Sequence, residues 1–261
     1  MNQPTRNTGH SCLFVAVLAA ILQVSQERAP AQNAEAKPAL VAVAAVAATA
    51  QPAPAAVLVV AAAGVPAPPA LDPDKALQRL LEGNQRYVAG KATHPDQTAE
   101  RRLELAKGQA PFAIVLTCSD SRVAPELFFD QGLGDLFVIR NAGNLLDDHV
   151  IGSMEYAVEH LHANLIVVVG HGKCGAVSAA VAGGEIPGHI RSIVEAITPA
   201  IEEAKNLPGD KVDNAVRANA QHMATILTHV EPILKTEVKE GHLKIVAARY
   251  DLSTGQVEII K

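Results

Sequence analysis

Two short stretches carry side chains that can do chemistry together. "CSDSR" holds Cys118, Asp120 and Arg122, and "GHGKC" holds His171 and Cys174. Each follows a run of apolar, partly β-branched residues, "PFAIVLT" before the first and "LIVVV" before the second. Short runs of this kind read as buried strands, so both reactive sets stand where a strand ends. In an open parallel sheet the carboxyl ends of the strands form the crevice that binds ligands. Segments distant in sequence therefore converge on one spot.

Thiolate and imidazole are preferred zinc ligands, and three protein ligands leave the fourth tetrahedral position open to water. Cys118, His171 and Cys174 make such a set. A water bound there can lose its proton at a pKa of about 7, giving a zinc-bound hydroxide nucleophile at neutral pH. Two thiolates donate more negative charge than imidazoles would, which weakens the metal as an acid and calls for help from its surroundings. Asp120 either takes the fourth position or accepts a hydrogen bond from the bound hydroxide. Arg122 holds Asp120 ionised and oriented through a charge-assisted pair, and so draws it off the metal.

Other readings of these residues stay open. A cysteine after a strand is commonly a small buried hydrophobe, and Cys118 with Cys174 can form a disulfide in an exported protein. Asp120 as a permanent fourth ligand makes a closed, structural zinc site. Two phosphate-binding patterns are excluded: "GHGKC" lacks the Ser/Thr that follows Lys in a P-loop, and no C-x5-R cradle is present.

The elements that position these residues follow from periodicity. Asp72 caps a helix whose first residue is Pro73 and whose apolar stripe runs through Leu77, Leu80, Leu81, Asn84 and Val88 to a stop at Gly90. A second helix, "TAERRLELAKG", ends at Gly108. Strands are expected at 111–118, 135–141 and 165–170, with helical "IGSMEYAVEHLH" between the last two. Strands alternating with helices predict an α/β fold with a mostly parallel central sheet flanked by helices. Helical segments around 174–182, 188–205 and 210–235 precede a last strand, "LKIVAARY". "GQVEIIK" pairs with it through a turn at Ser253–Gly255.

Composition changes sharply near residue 70, which predicts three regions: a signal peptide or anchor at 1–36, a linker at 37–70 and a folded domain at 71–261. Arg6 and His10 precede an apolar stretch, Cys12 to Val24, too short to span a bilayer and suited to a signal-peptide core. Small residues follow in "APA" (29–31) and "AEA" (34–36). Export to a bacterial periplasm or cell envelope is the reading taken, with a cytoplasmic protein from a misplaced start, or an uncleaved membrane tether, as alternatives. The Ala- and Pro-rich linker is divided by Pro52 and Pro54 and reads as a semi-rigid spacer. A formal charge of −5 without basic blocks, no Trp and only 3% aromatics exclude a nucleic-acid partner.

"CSDSRVAPELFFDQGLGDLFVIRNAGN" (118–144) with "GHGKCGAV" (170–177) resembles the β-class carbonic anhydrases, and the resemblance runs from about residue 72 to the end. It implies one zinc per chain held by Cys118, His171 and Cys174, with Asp120 and Arg122 as catalytic dyad. It implies reversible hydration of carbon dioxide to bicarbonate and a proton, N-terminal helices that embrace a partner, and a homodimer or higher even oligomer. It also implies a substrate pocket from Gln109, Phe137, Ala142 and Tyr156, partly supplied by the neighbouring chain, and the amides around Gly175 at the start of the following helix favour bicarbonate. Ala142 stands where plant-type members carry Val, and the N-terminal extension has no family counterpart. The same scaffold would serve hydrolysis of carbon disulfide or carbonyl sulfide. A non-catalytic zinc protein, a bicarbonate sensor or scaffold, is the alternative from another class, but it would have no use for Arg122.

Three histidines near one helix, His149, His160 and His162, read as surface or helix-end residues, because positions i and i+2 on a helix point apart. Ser119 and Ser121 shape the loop, and Lys173 is solvated beside the site.

Overall fold

The computed structural model describes residues 71–261. The regions read as signal segment and linker, 1–36 and 37–70, lie outside the described residues. Helices Pro73–Val88 (α1) and Ala99–Leu105 (α2) lead into strand Ala113–Cys118 (β1). Helix Pro125–Phe128 (α3), strand Leu136–Asn141 (β2), helix Asp148–Leu161 (α4) and strand Leu165–His171 (β3) follow. Then come helices Gly175–Ala182 (α5), Ile190–Ala204 (α6), Lys211–Leu227 (α7) and Ile233–Glu240 (α8), and strands Lys244–Tyr250 (β4) and Val257–Ile259 (β5).

The strands form one sheet in the order β2-β1-β3-β4-β5. The first four are parallel, and β5 turns back antiparallel on β4. β1 and β3 are buried along their whole length, as strands covered on both faces must be. Side-chain alternation sorts them between two cores. Ile114, Leu116, Cys118, Ile166 and Val168 pack with Met154 of α4, Val177 of α5 and Val216 and Ala220 of α7. Val115, Val167 and Val169 face the other way, against Leu80 of α1, Phe128, Phe129 and Tyr250.

α1 starts as its sequence requires: the Asp72 carboxylate accepts from the backbone N–H of Asp74 and Lys75 at 3.1 and 3.2 Å. The helix lies so close to the chain after α3 that a Cβ on Gly83 would meet Phe129 O at 1.8 Å. Beside it, buried Asn84 donates to Phe128 O and Gly255 O and accepts from Val257 N–H. Asn84 falls on the apolar stripe for that reason. Asp130, fully shielded, accepts from Thr93 N–H, Thr93 Oγ1, His94 N–H and Arg86 Nε. This ties the loop after α1 to the loop after α3.

Two helical readings need correction. The segment expected to run 210–235 as one helix is two, α7 ending at Leu227 and α8 starting at Ile233. Pro232 has no N–H to donate and disfavours helical backbone before it, and α8 extends to Glu240, beyond the expected end. The short α3 had no periodic signal to reveal it. No helix among the described residues is long and apolar enough to cross a membrane.

Candidate active site

Cys118 is the last residue of β1 and His171 the last of β3, and the parallel pairing of these strands brings their ends together. After His171 the chain reverses through Gly172 and Lys173, the latter in the left-handed region at φ 55°. Cys174 thereby becomes the N-cap of α5. Ligand atoms of Cys118, His171 and Cys174 all lie within 4.8 Å of one another. All three residues are buried.

The imidazole is oriented by its own loop. His171 Nδ1 lies 3.0 Å from Gly172 O, so Nδ1 carries the proton and Nε2 keeps its lone pair. That Nε2 is buried with no hydrogen-bond partner. An orphaned acceptor between two free thiols is costly unless something electrophilic fills the gap. A soft divalent metal fits this donor set. Glu237, Glu240 and His242 also cluster within reach of one ion, but at the solvated end of α8. Their exposure leaves nothing unsatisfied.

The thiols form a coupled acid–base pair. A hydrogen bond from Cys174 is the main force lowering the Cys118 thiol, to about 4, and the shared proton pushes Cys174 up. Gly143 N–H also donates to Cys118 Sγ at 3.5 Å. Backbone N–H groups of Val177 and Ala176, in the first turn of α5, act on Cys174 in the opposite sense, favouring its thiolate.

Asp120 and Arg122 form a forked pair, Nε to Oδ1 at 2.8 Å and Nη2 to Oδ2 at 2.6 Å, with Arg122 N–H on Oδ1 at 3.0 Å. The guanidinium holds the Asp120 carboxyl well below the usual carboxylate range. Asp120 Oδ2 lies 3.9 Å from His171 Nε2, at the mouth of the cluster. Arg140, at the end of β2, clamps the intervening backbone by donating to Cys118 O at 3.1 Å and Asp120 O at 2.8 Å. Ser119 N–H donates to Asn141 O at 3.1 Å.

The residues expected to line a substrate pocket divide into two sets. Ala142 follows β2 beside Cys118, and Gly175 opens α5. Gln109 precedes β1, at the other end of the strand, and lines an open groove with Arg102, Lys107 and Leu133. Phe137 pairs with Ile114, four residues before Cys118, or about 13 Å along the strand. Its ring centroid is 6.5 Å from that of Tyr156, which is exposed on α4. Within one chain, these three do not join the Cys118–His171–Cys174 cluster. His149 and His160 are exposed, and His162 caps α4 in the left-handed region.

Three supporting residues had no role in the sequence reading. Arg140 and Gly143 lie in "VIRNAGN", where a charged residue ending an apolar strand and a glycine between two asparagines were the available signals. Asn219, on α7, had none.

A family model described as "Carbonic anhydrase" matches residues 113–257, more than half of the chain and every residue of the cluster. The chain belongs to the β-carbonic anhydrase family. Carbonic anhydrase 2 of Mycobacterium tuberculosis is 42% identical over 192 residues, covering 72% of this chain and 93% of that protein. The carbonic anhydrase of Mycolicibacterium smegmatis is 42% identical over 195 residues, covering 73% and 95%. Among solved structures, the β-carbonic anhydrase CcaA is 29% identical with a TM-score of 0.57, covering 71% of this chain and 95% of that one. A tetrameric β-carbonic anhydrase of Sordaria macrospora is 26% identical with a TM-score of 0.58, covering 71% and 97%. This β-carbonic anhydrase is therefore an enzyme with a mixed five-stranded sheet flanked by helices.

Proposed function

We propose that the chain catalyses the reversible hydration of carbon dioxide to bicarbonate and a proton at a zinc site made by Cys118, His171 and Cys174. The observation that carries this reading is the unpartnered, buried Nε2 of His171, set between two thiols and 3.9 Å from a carboxylate held by arginine. Zinc there would supply Lewis acidity that lets a water lose its proton near neutral pH; about 7 is the value for the three-histidine carbonic anhydrases.

The chain's own residues do the rest. Asp120 accepts a hydrogen bond from the attacking oxygen and turns its lone pair toward carbon dioxide. Arg122 keeps that carboxylate ionised and off the metal position. Ala142 offers a small apolar wall. The proton leaves to bulk solvent, because Asp120, held by Arg122, is too weak a base to keep it.

We also propose a homodimer or higher even oligomer. β2 is an edge strand with half-buried apolar residues, and Gln109, Phe137 and Tyr156 would reach a substrate only in a neighbour's site. Residues 71–261 are the catalytic domain of this proposal. Export, with residues 1–36 as leader or tether, rests on the apolar stretch Cys12 to Val24.

Stopped-flow carbon dioxide hydration with zinc content determined on the same sample tests the reading. Turnover that scales with zinc and vanishes on chelation supports it. One zinc per chain without turnover from roughly pH 6.5 to 9 would leave the closed site of a sensor or scaffold. Faster turnover of carbon disulfide or carbonyl sulfide would reassign the substrate.

A further inference from the structure

We propose that Asn219 is a positioning residue for the Cys118 sulfur, acting through the backbone of Gly143. Asn219 sits on α7, 1% exposed, and its Nδ2 donates to Gly143 O at 2.9 Å. Gly143 N–H in turn donates to Cys118 Sγ at 3.5 Å. Gly143 is at φ 83°, where little but glycine is comfortable. Its N–H and its C=O belong to adjacent peptide units hinged at the Cα, and glycine's freedom in φ and ψ would let the two turn independently unless each is held. Asn219 holds the second unit by its carbonyl, which restricts the hinge and keeps the first unit's N–H turned to sulfur.

Helix α7 is well placed for this. A Cβ on Gly170 would meet Val216 Cγ1 and Val216 O at 3.0 and 3.1 Å, so α7 lies against β3 one residue before His171. Val216, Ala220 and Met223 occupy its buried stripe with Asn219. A leucine would fill that position at lower cost, because Asn219 Oδ1 is buried with no partner. The amide earns its place through the bond it donates. An N–H on a thiolate withdraws charge from it, and hydrogen bonds to coordinating sulfurs tune the metal they hold.

The inference rests on the metal reading above. Its test uses the full chain with cobalt(II) in place of zinc, read by visible absorption and by cobalt affinity in chelator competition. Asn219→Asp and Asn219→Ser should move the sulfur-to-cobalt charge-transfer band to longer wavelength, because the sulfur becomes richer in charge. They should weaken cobalt binding by about 10- to 100-fold. Asn84→Ala removes an equally buried amide far from the cluster; it should lower stability and leave the band in place.

An unmoved band in the Asn219 variants, or an equal shift in Asn84→Ala, overturns the proposal. If wild type takes up no cobalt, the metal reading fails and this one with it. Should the Asn219 variants not fold, wild type loaded with cadmium-113 decides: scalar coupling from cadmium to the Gly143 amide proton supports the N–H···S link, and its absence removes it.

Discussion

His171 Nε2 and Asp120 Oδ2 face each other at 3.9 Å, while both oxygens of that carboxylate are engaged by Arg122. Asp120 is thus within reach of the metal position and restrained from taking it. Asp120→Asn and Arg122→Ala should each keep zinc and lose about 10²-fold or more in turnover. The double variant should fall little further than the worse single one, because paired groups act as a unit. Additive losses would separate the two residues mechanistically. Full activity in either single variant would remove the pair from the reaction.

In the proposed zinc site the two thiols are protected only while both bind metal. After chelation Cys118 is the thiolate of the pair and Cys174 its hydrogen-bonded thiol, so treatment with diamide should join them. Alkylation and mass spectrometry should find both cysteines free in the zinc-loaded chain and linked in the zinc-free one. Free thiols in both samples would mean that the backbone holds the sulfurs apart.

Asp130 should govern acid stability away from the active site. Burial raises its carboxyl pKa, but hydrogen bonds from Thr93, Arg86 and His94 outweigh that and hold it well below the usual range. A depressed carboxylate contributes stability above its unfolded pKa of about 3.9, and loses it as pH falls toward the folded value. Asp130→Asn should cost about 2–4 kcal/mol at pH 7 by urea unfolding. The gap from wild type should narrow below about pH 4. A gap independent of pH would assign the loss to packing.

Gly83→Ala should be the harshest small substitution in α1. Its methyl would meet Phe129 O at 1.8 Å, a backbone atom unable to step aside, and a loss of about 3 kcal/mol or more is expected. Gly90→Ala, with nothing within 4 Å of the new Cβ but φ at 66°, should cost only about 1 kcal/mol. Equal thermal shifts would refute the close approach of α1 to the chain after α3.

Particular elements show how far linear reading carried. β1 and β3 were visible because a strand buried on both faces must be apolar at every position, and the helix at Pro73 because a cap, a proline and a 3.6-residue stripe coincide. Residues 210–235 misled because amphipathic periodicity continues across Pro232. Asp130 and Asn219 were silent, and Asn84 stood on its helical stripe without a reason, because a buried polar residue is recognised by its partners, and those partners lie far away in the chain.

Sequence by itself determined the donor set, since thiolate, imidazole, carboxylate and guanidinium are chemical identities, and it placed those groups at strand ends through local hydrophobic pattern. Tertiary structure alone decided which of them meet. Parallel pairing of β1 with β3 brings Cys118 to His171 and Cys174, and the register of β2 on β1 sets Phe137 beside Ile114, away from them. The Asn219–Gly143–Cys118 relay exists only because α7 packs across the end of β3. Contacts of that kind depend on relative positions in space, which no local run of residues encodes.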